Sequence, residues 1–175
     1  MKKDVIELAQ LKLNVFNTLD KDWMLLTAGD FEQHQFNMMT VSWGTFGIMW
    51  HKPIAMVVVR PQRYTHEFTE KYSDFTISAF PPEYRSALNV CGTVSGRNVD
   101  KLAQTGLHAT KACKVTAPGY EEACLVIECH KIYFDQIRPE HFLAQEIAKN
   151  YPQQDYHTFY FGEIVCVQGT AAYRQ

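Results

Sequence analysis

The chain has 175 residues, 46% hydrophobic and 21% charged, a mixture that buries a core and excludes wholesale disorder. Seventeen Lys and Arg against nineteen Asp and Glu give a net charge of −2, without the basic surplus usual in proteins that grip a nucleic-acid backbone. The longest apolar run, 54–59, falls far short of the ~20 residues that span a bilayer.

Asp4 and Glu7 interrupt any apolar signal core, so the expectation is a cytoplasmic protein with neither membrane nor nucleic acid as partner. The length predicts one domain over 1–175. The five cysteines (Cys91, Cys113, Cys124, Cys129, Cys166) are odd in number, scattered and free of CxxC pairs. They read as free thiols rather than a disulfide framework or a zinc site. The seven histidines do not pair at ligand spacing, so no metal is expected. Aromatic residues reach 13%; they suit pleated strands and also wall the sites of flat ring ligands.

In chain order, Ile6, Ala9, Leu13 and Phe16 approach helical spacing, predicting a helix or an extended arm over 1–20. Residues 23–28 form a strand that ends at Gly29-Asp30. Residues 36–43 form another, with a turn or bulge at Gly44 and Gly47. Residues 54–60 are the clearest buried strand, stopped by Pro61. A helix with Thr65 as N-cap follows to Tyr72, then a strand at 75–80. Pro82 opens a helix that stops near Gly92, and 98–104 is a short helix capped by Asn98 and closed by Gly106. The segment 107–122 is mostly loop. Strands at 123–134 and 157–167 flank a helical stretch over 139–149. About six strands without βαβ alternation argue for an antiparallel barrel or sandwich with helices laid over it.

Nucleotide-binding glycine loops, a GxSxG elbow and HExxH are absent. Two places join phosphate-friendly groups to a helix start. Arg60, Arg63 and Thr65 leave a buried strand and enter a helix; Ser95 and Gly96 precede a helix carrying Lys101. Unpaired N–H groups, a positive dipole end and cationic side chains suit an anion. A capped helix with surface charges explains either stretch alone; the pair together shifts the balance toward a phosphate ligand. The strand Asn37, Met38, Met39, Thr40, Val41, Ser42, Trp43 alternates small polar with bulky residues and offers a ring ligand a backbone edge and a flat wall. Taken alone, it reads as an amphipathic barrel strand.

The chain resembles the flavin reductase-like family with the FMN-binding split-barrel fold, in its flavoredoxin-like branch. The resemblance rests on NMMTVSWG (37–44), the 54–65 strand with RPQRYT, FTISAF (75–80), CGTVSGRNVDK (91–101) and DYHTFYFGEI (155–164). It departs at Asn98, where the branch commonly has Asp, and at His130, where relatives tend to have Arg. The fold it implies is mainly β with short helices: a six-stranded antiparallel split barrel that dimerises with FMN near the interface. The resemblance puts Asn37, Thr40, Ser42 and Trp43 at the isoalloxazine and ribityl chain. Arg60, Arg63, Thr65, Ser95 and Lys101 become the pool of phosphate and ribityl anchors, with Arg60 and Lys101 converging on one dianion. His157 falls near the flavin; it polarises the ring, steers the donor, or is merely hydrogen-bonded at a strand end.

The implied function is an NAD(P)H-dependent flavin reductase. The alternatives are an electron-transfer flavoprotein served by a redox protein, and a flavin- or haem-binding barrel without turnover. No catalytic side chain is required, because the cofactor performs the redox step.

Overall fold

A computed structural model describes residues 2–175; Met1, the first residue of the expected arm and domain, lies outside it. The strands are β1 (Asp4–Val5), β2 (Met24–Asp30), β3 (Gln35–Val41), β4 (Gly44–Met49), β5 (Lys52–Val59), β6 (Asp74–Ala79), β7 (Ala109–Thr110), β8 (Gly119–Tyr120), β9 (Leu125–Gln136) and β10 (Thr158–Gly169). The helices are α1 (Val15–Asn17), α2 (Tyr64–Lys71), α3 (Arg85–Thr93) and α4 (Lys101–Thr105). Among the described residues, no helix is long and apolar enough to cross a membrane.

One antiparallel sheet runs in the order β3-β2-β6-β9-β10-β5-β4, with β1 added to β10. Its two edges, β3 and β4, are consecutive in sequence, joined by Ser42 and Trp43 alone. A sheet whose edges are tied by so short a link must curl back on itself without closing. The result is the split barrel expected from the sequence, and the slit lies where β3 leaves toward β4.

The strands read as they do because the period-2 pattern feeds two cores. On β2, Met24, Leu26 and Ala28 face the barrel interior with Phe75, Ile77, Ile127 and Tyr160. The intervening Leu25 faces a second cluster, with Phe80, Leu88, Cys91 and Tyr120, under α3. Each such side chain contributes roughly 1.5–3 kcal/mol on burial. Two buried carboxylates tie the loop before β8 to the sheet. Asp74 accepts from the Thr116 and Ala117 amides, and Glu128 from those of Cys113 and Lys114.

The structure corrects the sequence reading in several places. Residues 44–49 are a strand, not a turn or bulge, which brings the long strands to seven. The hairpin behind it turns on Trp50 and His51, both at positive φ (52° and 58°). Such turns favour Asn and Gly, so this pair concealed the signal. Of the two expectations for 1–20, residues 2–20 follow the arm rather than the helix: Ile6 docks into the core, and Phe16 is 88% exposed. Residues 139–141 and 145–150 are separate 3₁₀ turns. Arg63, not Thr65, caps α2, and Asp100, not Asn98, caps α4 by accepting from the Ala103 amide. Gly106 closes α4 as expected, at φ 69°.

Candidate functional site

Met38 shows which way the edge strand faces. Its carbonyl accepts from the Lys101 ammonium at 2.7 Å, so it points away from β2. Backbone groups alternate sides along an antiparallel strand, so those of Thr40 share that outer side. The edge is therefore blunted at Met38 and open beyond it.

A cavity of about 180 Å³ lies at that open end, where Met39, Thr40, Val41, Ser42 and Trp43 face Val58, Arg60 and His157. An adjoining cavity of about 570 Å³ shares Ser42 and Trp43 and adds Phe16 and Phe46. The Thr40 hydroxyl bonds the Leu88 carbonyl, anchoring the edge to α3. Trp43 is 46% exposed, with its ring 5.3 Å from that of His157.

Arg60 leaves the end of β5 into the slit. Its guanidinium pairs with Asp155 at 2.5 Å, donates to the Asn150 carbonyl at 2.8 Å and stacks 5.0 Å from the Tyr151 ring. Gln62 also donates to the same Asp155 oxygen. These bonds, Gln62 first and then Arg60, hold the Asp155 carboxyl below the usual carboxylate range. The other Asp155 oxygen is buried without a partner, an acceptor that a ligand hydroxyl or amide would satisfy.

His157 shares a 2.9 Å hydrogen bond with the Tyr151 hydroxyl through Nδ1. Burial, then the Arg60 charge, lowers its pKa to about 4, so the ring is neutral at pH 7. An imidazole in that state donates or accepts without adding charge to the slit.

The remaining expected anchors lie elsewhere. Asn37, Gly96 and Lys101 line a separate cavity of about 600 Å³. There the Asn37 amide donates to the buried Thr65 hydroxyl at 2.7 Å. A Cβ on Gly96 would stand 2.1 Å from Asn37 Oδ1, so the missing side chain makes room for Asn37 rather than for an anion. Lys101 is 5% exposed and donates to the Met38 and Cys91 carbonyls (2.7 and 3.1 Å). Burial, joined by the nearby Arg63 charge, lowers its pKa to about 8. Arg63 donates to the Gly92 and Cys91 carbonyls, satisfying the end of α3. The Ser95 hydroxyl accepts from the Arg97 amide. Arg60 and Lys101 thus do not converge on one phosphate: they line different cavities, and Lys101 is spent on backbone carbonyls.

The residues missed from sequence are Asp155 and Tyr151, which orient Arg60 and His157. Asp155 lay inside the DYHTFYFGEI stretch, but nothing in its spacing linked it to Arg60.

The model of the flavin reductase like domain matches residues 17–172. The chain belongs to the flavin reductase-like family. A flavoredoxin of Desulfovibrio vulgaris (Miyazaki F) is 26% identical and superimposes with a TM-score of 0.66, covering 86% of this chain and 70% of its own. A flavin reductase-like FMN-binding domain from Shewanella baltica reaches a TM-score of 0.68 at 19% identity, covering 96% and 77%. An uncharacterized protein of Pyrococcus abyssi is 29% identical over 121 residues, 67% of each chain. Within this flavin reductase-like chain, residues 17–172 include both the slit and the second cavity.

Proposed function

We propose that this protein is a cytoplasmic, homodimeric flavoprotein that binds FMN in the slit and works as an NAD(P)H-dependent flavin reductase. The observation that carries the reading is the slit itself: an open strand edge at Thr40, an exposed indole and a half-buried cation brought together where the sheet fails to close.

The donor set fits a flavin mononucleotide. The Thr40 backbone offers the donor and acceptor that a ring edge needs, and Trp43 a flat apolar wall. Arg60 keeps guanidinium N–H donors beyond those it gives Asp155 and Asn150, which suit an anionic tail, and the orphaned Asp155 oxygen accepts from a ligand hydroxyl. The neutral His157 is available to hydrogen-bond the ring or the donor without electrostatic penalty. When bound, the flavin supplies the hydride- and electron-accepting chemistry. The chain's part is to orient it and keep water from one face.

The dimer has its own support. Trp50, Tyr133, Phe159 and Phe161 form a continuous ring cluster with centroids 5.9–6.3 Å apart, and Trp50 and Tyr133 are 53% and 43% exposed. Exposed aromatic clusters of this kind are what subunit interfaces cover.

The test is a fluorescence titration with FMN and FAD, followed by anaerobic mixing with NADH and NADPH. Saturation near one FMN per chain and rapid bleaching of the visible flavin band support the reductase. The family relationship and the 26% identity to flavoredoxin favour a second reading, an FMN carrier served by a protein donor. Tight FMN binding without bleaching selects it, and failure to bind any flavin overturns both.

A further inference from the structure

Far from the slit, folding brings together three side chains from separate stretches of chain. Cys113 lies in the loop after β7, Glu128 on β9 and Cys166 on β10. Glu128 and Cys166 are direct partners across the β9–β10 ladder, so they share a face of the sheet. A register shift between Ile164 and Cys166 sets that pairing. The Glu128 carboxylate holds Cys113 over them by accepting from the Cys113 amide at 2.9 Å and the Lys114 amide at 2.7 Å. The two sulfurs and a carboxylate oxygen all lie within 4.8 Å of one another.

We infer that Cys113, Glu128 and Cys166 form a binding site for a thiophilic divalent metal ion of the zinc type. Four observations carry this. The donor set is two sulfurs and one oxygen, which suits zinc and its neighbours; calcium and magnesium prefer oxygen alone. Zn–S of ~2.3 Å and Zn–O of ~2.0–2.2 Å put these tetrahedral ligand atoms roughly 3.5–3.8 Å apart, a span that rotation of the exposed Cys113 side chain closes.

The third observation is that the carboxylate is already oriented. Glu128 is fully buried; Oε1 accepts from the Cys113 amide and from Gln168 at 2.8 Å, whereas Oε2 accepts only from the Lys114 amide. One lone pair on Oε2 stays free for a cation, and the surrounding donors supply the outer support that metal ligands need. The fourth is access. A cavity of about 510 Å³ is lined by Cys113, Lys114 and Cys166, leaving a coordination position for water or a small ligand.

Binding expels both thiol protons: two R–SH groups and M²⁺ give two M–S bonds and two H⁺, with no change of oxidation state. The ion would clamp the loop before β8 onto β9 and β10. Cys166 lies nine residues beyond His157, which immediately precedes β10, about 30 Å at strand rise, so the site is independent of the flavin reading.

The experiment uses untagged full-length protein, reduced and stripped with chelator, then titrated with Co²⁺ and with Zn²⁺ against a chromophoric chelator. The expected result is one metal per chain, a thiolate-to-cobalt charge-transfer band, and protection of two thiols from a thiol reagent. Cys113→Ser and Cys166→Ser each weaken binding by about 100-fold or more. Circular dichroism of the Cys113→Ser variant, altered at an exposed position, confirms that the fold survives. Absence of binding at micromolar metal, or equal binding by both variants, overturns the proposal. So does a disulfide: loss of two hydrogens by mass in air, with no metal uptake after reduction, would make the pair a redox couple instead.

Discussion

The ammonium of Lys101 sits 2.7 Å from the carbonyl of Met38, on the outer side of the edge strand. A buried lysine here works as a strand cap. It satisfies a carbonyl that no neighbouring strand reaches, and through Cys91 it ties the same edge to α3. Removing it strips each carbonyl of its shorter bond and leaves Met38 only the Asn37 amide at 3.4 Å and Cys91 only Arg63 at 3.3 Å, a loss of about 1–3 kcal/mol. Lys101→Met is therefore expected to lower the melting temperature by several degrees, at about 2–4 °C per kcal/mol for a chain of this size. Scanning calorimetry checks this; an unchanged melting point would mean that the carbonyls find other partners.

Gly96 allows Asn37 to reach Thr65. A methyl group at position 96 would meet Asn37 Oδ1 at 2.1 Å and Tyr64 at 3.2 Å, so Asn37 must swing off its 2.7 Å bond. Gly96→Ala is expected to cost about 1–3 kcal/mol for the unsatisfied pair. Urea denaturation should show a lower midpoint with an unchanged slope.

His157 gives the fold an acid-sensitive point. Its folded pKa, about 4, lies below the ordinary 6.5. Between those values the unfolded chain takes up a proton that the folded chain refuses, so stability rises with pH. The contribution is fully present above about pH 6.5 and is lost as pH falls toward 4. His157→Gln should flatten denaturant stability across that window by up to one proton, about 1.4 kcal/mol per pH unit. Parallel profiles for the two proteins would contradict the neutral, buried imidazole.

Trp50 stands at the hairpin tip, its ring against Tyr133 and Phe161. Placing a charge there should prevent a second copy from covering the patch. Trp50→Lys is expected to elute and scatter light as a monomer at micromolar concentration, where the unaltered protein gives twice the 20.2 kDa chain mass. A monomer for both would remove the dimer from the account.

Much of the sheet was legible because its signals are local. The run at 54–59 announces β5, and the alternation at 75–80 announces β6. The strand at 44–49 was hidden because its turn uses Trp50 and His51 where glycine or asparagine is usual. At the site, Met39 through Trp43, Arg60 and His157 stand around one slit. Lys101 and Gly96 were misread because a lysine bound to carbonyls and a glycine beside a packed amide use the same residue types as an anion cradle. Only the fold separates the two uses. Cys113, Glu128 and Cys166 carried no signal, since strand register and a long loop alone bring them together.

On the proposed function, the flavin lies in the slit beside Arg60 rather than in the larger cavity beside Lys101. Parallel FMN fluorescence titrations of Arg60→Ala and Lys101→Met test it most directly. A lost charge-assisted bond of roughly 1.5–3 kcal/mol predicts at least about ten-fold weaker binding for Arg60→Ala. Lys101→Met, though less stable, should bind within about three-fold of the unaltered protein, under about 0.7 kcal/mol. The reverse order, with Lys101→Met crippled and Arg60→Ala unaffected, would place the cofactor in the other cavity and contradict the account.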